Sequence, residues 1–271
     1  MNGASREALA AARERLDALT DNTSVDASKL ADELAAVTAL LDREVSLRRV
    51  LTDPAQAGEA KAELAQRLLG SQVSGPTADL VAGMVRSRWS QSRDLVDALE
   101  ELASLADLTA AQRAGTLDSV EDELFRFGRI VSSSTELRAA LTNRKAGTSA
   151  KSELLRSLLG GRSAATTERL VKRLVAAPRG RSLEAGLESL SKLAAERRDR
   201  MVAVVTSAVP LSDPQKRRLG AALAKLYGRT MHLNLDVDPE VVGGIRVQVG
   251  DEVINGSIAD RIEDAGRRMA S

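Results

Sequence analysis

The sequence predicts a mainly α protein: duplicated helical bundle units followed by a small α/β C-terminal domain. Three observations carry that expectation. Apolar residues recur at three- and four-residue steps through roughly the first 200 residues, the period of helices with one buried face. The stretch 47–70, LRRVLTDPAQAGEAKAELAQRLLG, returns as 137–160, LRAALTNRKAGTSAKSELLRSLLG, at a constant offset of 90, with 11 of 24 positions identical. Shared composition alone gives about two or three such matches, so a helical unit is duplicated. Beyond Met201 the period changes to two, as in strands.

The first unit, residues 1–106, opens with a helix over 5–19, which places Leu9, Ala12, Leu16 and Leu19 on one face. Residues 21–24 are a polar break. A long amphipathic helix is expected over 27–51, with Leu30, Leu34, Val37, Leu41 and Val45 on its apolar side. Asp53-Pro54 ends it, because the residue before proline is driven out of the helical region. A helix over 56–69 stops at Gly70, and Gly75-Pro76 starts the next. Leu95, Leu99, Leu102 and Leu105 mark one more.

The second unit, 107–200, repeats the plan. Its long helix is expected over 117–141, with Leu124, Phe127, Ile130 and Val131 inward. Leu95, Leu99 and Leu102 align with Leu183, Leu187 and Leu190 once two residues are gapped.

The C-terminal part, 201–271, begins with a β-branched run over 201–208. Ser212 and Gln215 have capping-box spacing, with Pro214 in the first turn of a helix that runs to Tyr227. Met231, Leu233, Leu235 and Val237 alternate with polar residues. Asp238-Pro239 breaks that strand, and Gly243-Gly244 permits a positive φ. Ile245, Val247 and Val249 form the next strand, Gly250-Asp251 suits a hairpin, and Val253-Ile254 return. Residues 258–269 read as a last helix.

Composition excludes several function classes. There is no cysteine and one histidine, so disulfides, thiolate metal sites and multi-histidine sites are ruled out. Lys+Arg is 39 and Asp+Glu 38, without the basic excess of a typical phosphate-backbone binder. Aromatics are 1% of residues, so the core is Leu, Val and Ala, which suits helix-on-helix packing. No apolar run approaches the roughly 20 residues of a membrane-spanning helix. The N-terminus lacks an apolar signal core.

Candidate chemistry is sparse. Gly147 to Ser152 superficially suggests a phosphate loop, but no glycine precedes Lys151 and no strand leads into it. A strand follows Gly243-Gly244, so these are turn glycines and not a dinucleotide fingerprint. His232 reads as a polar-face strand residue. Trp89 reads as filling one end of the first bundle more readily than as a partner anchor. Arg197-Arg198-Asp199-Arg200 and Lys216-Arg217-Arg218 read as exposed helix ends more readily than as RNA-binding clusters.

Leu235, Val237, Asp238, Pro239, Val242, Gly243, Gly244, Ile245, Val247, Val249, Gly250 and Gly256-Ser257 together resemble the C-terminal signature of the delta subunit of bacterial proton-translocating ATP synthases, the counterpart of the mitochondrial oligomycin-sensitivity-conferring protein. Ser207 to Ser212 resembles that family's Ser-Ala-x-Pro-Leu-Ser turn. Asn255 departs from the aspartate common there. Two helical units in place of one make the chain similar to actinobacterial long forms, with the first unit as an extension.

The resemblance implies a noncatalytic stator subunit that needs no cofactor or metal. Asp238, Pro239, Gly243, Gly244, Gly250 and Gly256 are then a structural signature. It implies that the helical bundle grips N-terminal segments of the alpha subunits, that the C-terminal domain holds the b-type stalk, and that the protein sits peripherally on the cytoplasmic face of the plasma membrane. The second unit is expected to take the head contact. The alternative is a helical nucleic-acid-binding adaptor, which would show steeply salt-dependent binding.

Overall fold

A computed structural model of the chain describes residues 2–21, 24–143, 145–198, 201–227, 231–238, 241, 244–249 and 252–255. Its helices are α1 (Gly3–Asp21), α2 (Ala27–Arg43), α3 (Val45–Thr52), α4 (Gly58–Leu69), α5 (Gly75–Arg86), α6 (Ser92–Arg113), α7 (Leu117–Ser133), α8 (Thr135–Thr142), α9 (Thr148–Leu159), α10 (Ala165–Ala176), α11 (Leu183–Arg198) and α12 (Asp213–Tyr227). The strands are β1 (Met201–Ser207), β2 (Met231–Val237), β3 (Ile245–Val249) and β4 (Glu252–Asn255). The chain divides into two compact units, Met1–Arg197 and Arg198–Ser271.

The duplication is literal. Helices α2 to α5 and α7 to α10 start and end a constant 90 residues apart. One expectation fails identically in both copies. The helices expected over 27–51 and 117–141 each break once, at Glu44 and at Ser134. The apolar period runs through both breaks, so periodicity alone does not reveal them. Local hydrogen bonds do. The Ser134 hydroxyl accepts from the Leu137 amide at 3.2 Å and caps α8. At the other break Arg48 donates to the freed carbonyls of Leu41 and Asp42, at 3.2 and 3.4 Å.

A second repeated device joins helices. The Glu33 carboxylate, on α2, accepts from the Ser74 amide at 3.1 Å, the Ser74 hydroxyl at 2.6 Å, and the Thr77 hydroxyl. It therefore satisfies orphan donors at the N-terminus of α5. Ninety residues on, Glu123 accepts from the Ala164 amide at 2.9 Å and the Thr167 hydroxyl at 2.5 Å, at the start of α10. Burial alone would raise the Glu33 pKa. The Ser74 and Thr77 hydroxyls, the Ser74 amide and the Lys29 charge outweigh it and hold the carboxyl below the usual glutamate value.

A folded pKa below the unfolded one contributes stability that is complete above the ordinary glutamate value. That contribution is lost as pH falls through the depressed one. Glu33→Gln should therefore cost about 1.5–3 kcal/mol at neutral pH. The gap to wild type should narrow once pH drops below about 4. Trp89, the sole tryptophan, sits in the same core and reports unfolding by fluorescence in urea. A gap that held constant down to acid pH would show that the charge contributes nothing.

Two apolar clusters divide inside α6. One gathers α1 to α5 with the N-terminal part of α6, as far as Ala106; the other begins at Leu108 and runs to Ala194. Leu193 packs against both. A single helix thus closes one bundle and opens the next. Trp89 is buried in the first cluster, and its indole N–H donates to the Met84 carbonyl at 2.8 Å.

The C-terminal unit is a four-stranded sheet of order β2-β1-β3-β4. β1 and β2 are parallel, from Met201 opposite Met231 to Ser207 opposite Val237, with α12 as the crossover. β3 runs antiparallel to β1, and β4 returns from β3 as the expected hairpin. In β3, Val247 and Val249 are buried while Arg246 and Gln248 are exposed. Gln215 Oε1 accepts from the Ser212 amide at 2.8 Å and the Ser212 hydroxyl at 2.7 Å, as the capping-box spacing predicts. β2 departs from its expected buried face: Leu233 packs against the core, but Leu235 and Val237 further along this edge strand are exposed. The helix expected over 258–269 lies outside the described residues.

Candidate partner-docking site

The duplication supplies an internal control for finding a docking surface. In the first repeat α2 and α6 flank a groove; in the second, α7 and α11 flank its counterpart. The 90-residue spacing pairs Ala35, Thr38 and Ala39 with Phe125, Gly128 and Arg129. Aligning the leucines of α6 and α11 pairs Glu100, Ala103 and Ser104 with Glu188, Ser191 and Lys192. All six first-repeat residues line a cavity of about 380 Å³, and all six counterparts line an open groove of about 900 Å³.

The two grooves have different fates. α10 and α11 lie across the first: Leu170, Arg173, Leu174, Gly186, Leu190 and Leu193 help complete its lining. Gly186 lies close to α10: a Cβ there would meet the Leu174 side chain, which would have to shift to make room. The second groove is lined by α7 and α11 alone. Phe125 on its edge is 56% exposed.

Charge explains how the first groove is closed. Asp107 on α6 has a side chain only 2% exposed, between Arg169 and Arg173 of α10. Arg169 reaches Asp107 at 2.9 Å and Asp32 of α2 at 2.7 Å, and also donates to the Ser28 carbonyl. Arg173 pairs with the other Asp107 oxygen. Arg179 lies 3.2 Å from Asp42 and 3.3 Å from Glu100, and Arg181 lies 2.5 Å from Glu100. Burial pushes the Asp107 carboxyl above the ordinary aspartate value; the two guanidiniums counter this only in part. The joint is therefore an ionic lock centred on the buried Asp107 and Arg179, whose acids come from α2 and α6 and whose arginines come from α10 and the turn after it.

These residues were not singled out by sequence reasoning. A position-by-position comparison of the repeats finds them. Asp42 and Asp107 become Ser132 and Ala195, and Arg169 and Arg173 stand where the first repeat has Asp79 and Gly83.

Of the sequence-predicted signature, two residues are described. The Asp238 amide donates to the Ser207 carbonyl at 3.0 Å, and its own carbonyl accepts from Val241. Gly244 has φ +83°, a conformation that favours glycine. Pro239, Gly243, Gly250 and Gly256 lie outside the described residues. Among the described residues no group of three or more His, Asp or Glu could hold a metal ion. Gly147 immediately precedes α9, so the Gly147 to Ser152 segment is a helix start. No described helix is long and apolar enough to cross a membrane.

Comparison with known proteins now decides the family. The model of the ATP synthase delta (OSCP) subunit matches residues 103–269. ATP synthase subunit delta of Streptomyces coelicolor is 85% identical over 100% of this chain and 99% of its own length. The chain belongs to the ATP synthase delta (OSCP) family.

The subunit delta of Thermobifida fusca is 49% identical over the full length of both chains, so the two-unit helical part is shared with these actinobacterial relatives. A chain of the Toxoplasma gondii mitochondrial ATP synthase hexamer aligns with TM-score 0.28 and 19% identity, over 62% of this chain and 95% of that one. As a delta subunit the protein is a noncatalytic component of the peripheral stalk. Membership in this family leaves the nucleic-acid reading without support. The delta family model omits residues 1–102, which comprise α1 to α5 and the start of α6.

Proposed function

We propose that this delta subunit ties the catalytic head of a proton-driven ATP synthase to its b-type stalk and resists rotor torque. The bundle 107–200 takes N-terminal segments of the alpha subunits. The small domain 201–271 holds the far end of the b-type stalk, and the extension 1–106 braces the stalk. Asp238, Pro239, Gly243, Gly244, Gly250 and Gly256 shape the C-terminal segment and bind no ligand. The protein lies on the cytoplasmic face of the plasma membrane, held there by its partners.

The observation that carries this reading is the extent of the family match, which covers the second bundle and the C-terminal domain and leaves the first bundle as an addition. The physical demand is a joint that does not slip, which large apolar contacts between helices supply. Tagged protein isolated from membranes should bring down alpha and b-type subunits together. Cross-links from residues 117–198 should reach alpha, and those from 201–255 the stalk. Recovery of the stalk subunit on the second bundle, with alpha on the C-terminal domain, would reverse the assignment.

A further inference from the structure

The cavity of about 380 Å³ between the α2–α6 and α10–α11 pairs falls within the size range of small-molecule sites, about 300–1,000 Å³. We propose that it binds one amphipathic carboxylate, with the apolar chain on the leucines of α10 and α11 and the carboxylate on Arg173 and Arg179. The proposal goes beyond the stator reading and does not depend on it.

Room for the chain comes from small residues. Ala35, Ala39 and Ser104 stand on the cavity wall where the second repeat carries Phe125, Arg129 and Lys192. The facing wall is apolar: Leu170, Leu174 and Leu190 are buried there. An alkyl chain laid between the two walls gains free energy in proportion to the apolar area it covers.

Unmet hydrogen bonds choose the head group. Arg173 uses Nη2 for Asp107, and its Nη1 is buried without an acceptor. The Arg179 side chain is only 7% exposed and ion-pairs with Asp42 and Glu100, yet its Nε and Nη1 make no directed hydrogen bond. Among the described residues, every buried side-chain nitrogen or oxygen left without a hydrogen bond is a guanidinium nitrogen. No buried acceptor is left over, so the complementary ligand supplies oxygens. A charged oxygen binds a guanidinium N–H about twice as strongly as a neutral one. The acids on the wall are largely engaged. Glu100 is held by Arg179 and Arg181, and Glu101 by Arg13; Asp97, one turn of α6 earlier, is the remaining one. A cation would bring donors to a site that already has donors in surplus.

The backbone presents Arg179 under strain. Its φ is +49°, the only positive φ of a non-glycine among the described residues. With Gly180 at φ +78° it forms a tight turn, in which the Arg181 amide donates to the Pro178 carbonyl at 3.0 Å. Residues kept in this region cluster where a ligand is gripped.

Calorimetric titration of the full-length protein with decanoate, below its micelle concentration, should reveal one site per chain. Acetate, which lacks the chain, and decyltrimethylammonium, which inverts the charge, should each bind at least about a hundredfold more weakly. Ala35→Phe puts into the cavity the side chain that the second repeat carries at the equivalent position. It should abolish binding and leave helical circular dichroism unchanged. Arg179→Met keeps the apolar stem and should weaken decanoate binding about thirtyfold. Decanoate should raise the melting temperature of the wild type and not that of Ala35→Phe.

No saturable binding to the wild type would overturn the proposal. Wild-type affinity in Ala35→Phe would put the ligand elsewhere on the chain and overturn the cavity assignment. Equal affinity for decanoate and the ammonium, or for Arg179→Met and the wild type, would show that the guanidiniums do not read the head group. Should Arg179→Met loosen the joint between the repeats, the ammonium and Ala35→Phe still decide the matter.

Discussion

Leu99→Ala should destabilise the helical unit by about 4–5 kcal/mol, while the same change at its repeat counterpart, Leu187→Ala, should cost only about 2–3 kcal/mol. The chemistry removed is identical and both side chains are buried. The surroundings differ. Leu99 lies on α6, which packs along α2 and carries the boundary between two cores, so its neighbours are held from several sides. A hole there has little chance to collapse. Leu187 lines the open α7–α11 groove, where Phe125 and solvent are close enough to relieve the void. Urea unfolding followed by helical circular dichroism measures both costs, and Trp89 reports the first repeat separately. Equal costs at the two positions would mean that the open groove is no softer than the closed one.

Asp107→Leu should cost about 3 kcal/mol, near the lower end of what breaking a buried ion pair costs. The carboxylate is almost fully buried, so its removal strands Arg169 and Arg173 with only the exposed Asp32 as an acidic partner. The two guanidiniums remain 33% and 26% exposed, and water reaching them keeps the loss from being larger. The decisive comparison is the triple variant Asp107→Leu, Arg169→Met, Arg173→Leu. Apolar replacement of a whole buried ionic cluster is often neutral or stabilising, so the triple variant should recover most of the loss. If the single change proved harmless, the lock would be a by-product of packing and not its cause.

Much of the fold was legible in the chain. The 90-residue repeat, seen first in 47–70 and 137–160, predicted a duplicated helical unit, and the helix ends of the two copies coincide at that spacing. The capping-box spacing of Ser212 and Gln215 formed its bond, and the alternation of Ile245, Val247 and Val249 formed a strand with one face inward. The breaks at Glu44 and Ser134 were not legible, because the apolar stripe continues across them and only the rerouted hydrogen bonds mark the turn. The exposure of Leu235 and Val237 was not legible either: alternation identifies a strand's two faces, but not whether anything covers the apolar one.

The residues that form the lock were visible as charges and silent as partners. Asp107 and Arg173 are 66 residues apart, and nothing in a helical period says that they meet. By itself the sequence determined the helix and strand periods, the duplication and the family, because those depend on local order along the chain. Which of two homologous grooves is crossed by further helices was decided only by tertiary packing. Both grooves present a similar helical stripe, and it takes the close passage of α10 at Asp107, with α11 following close by at Gly186, to enclose one as a cavity and leave the other open.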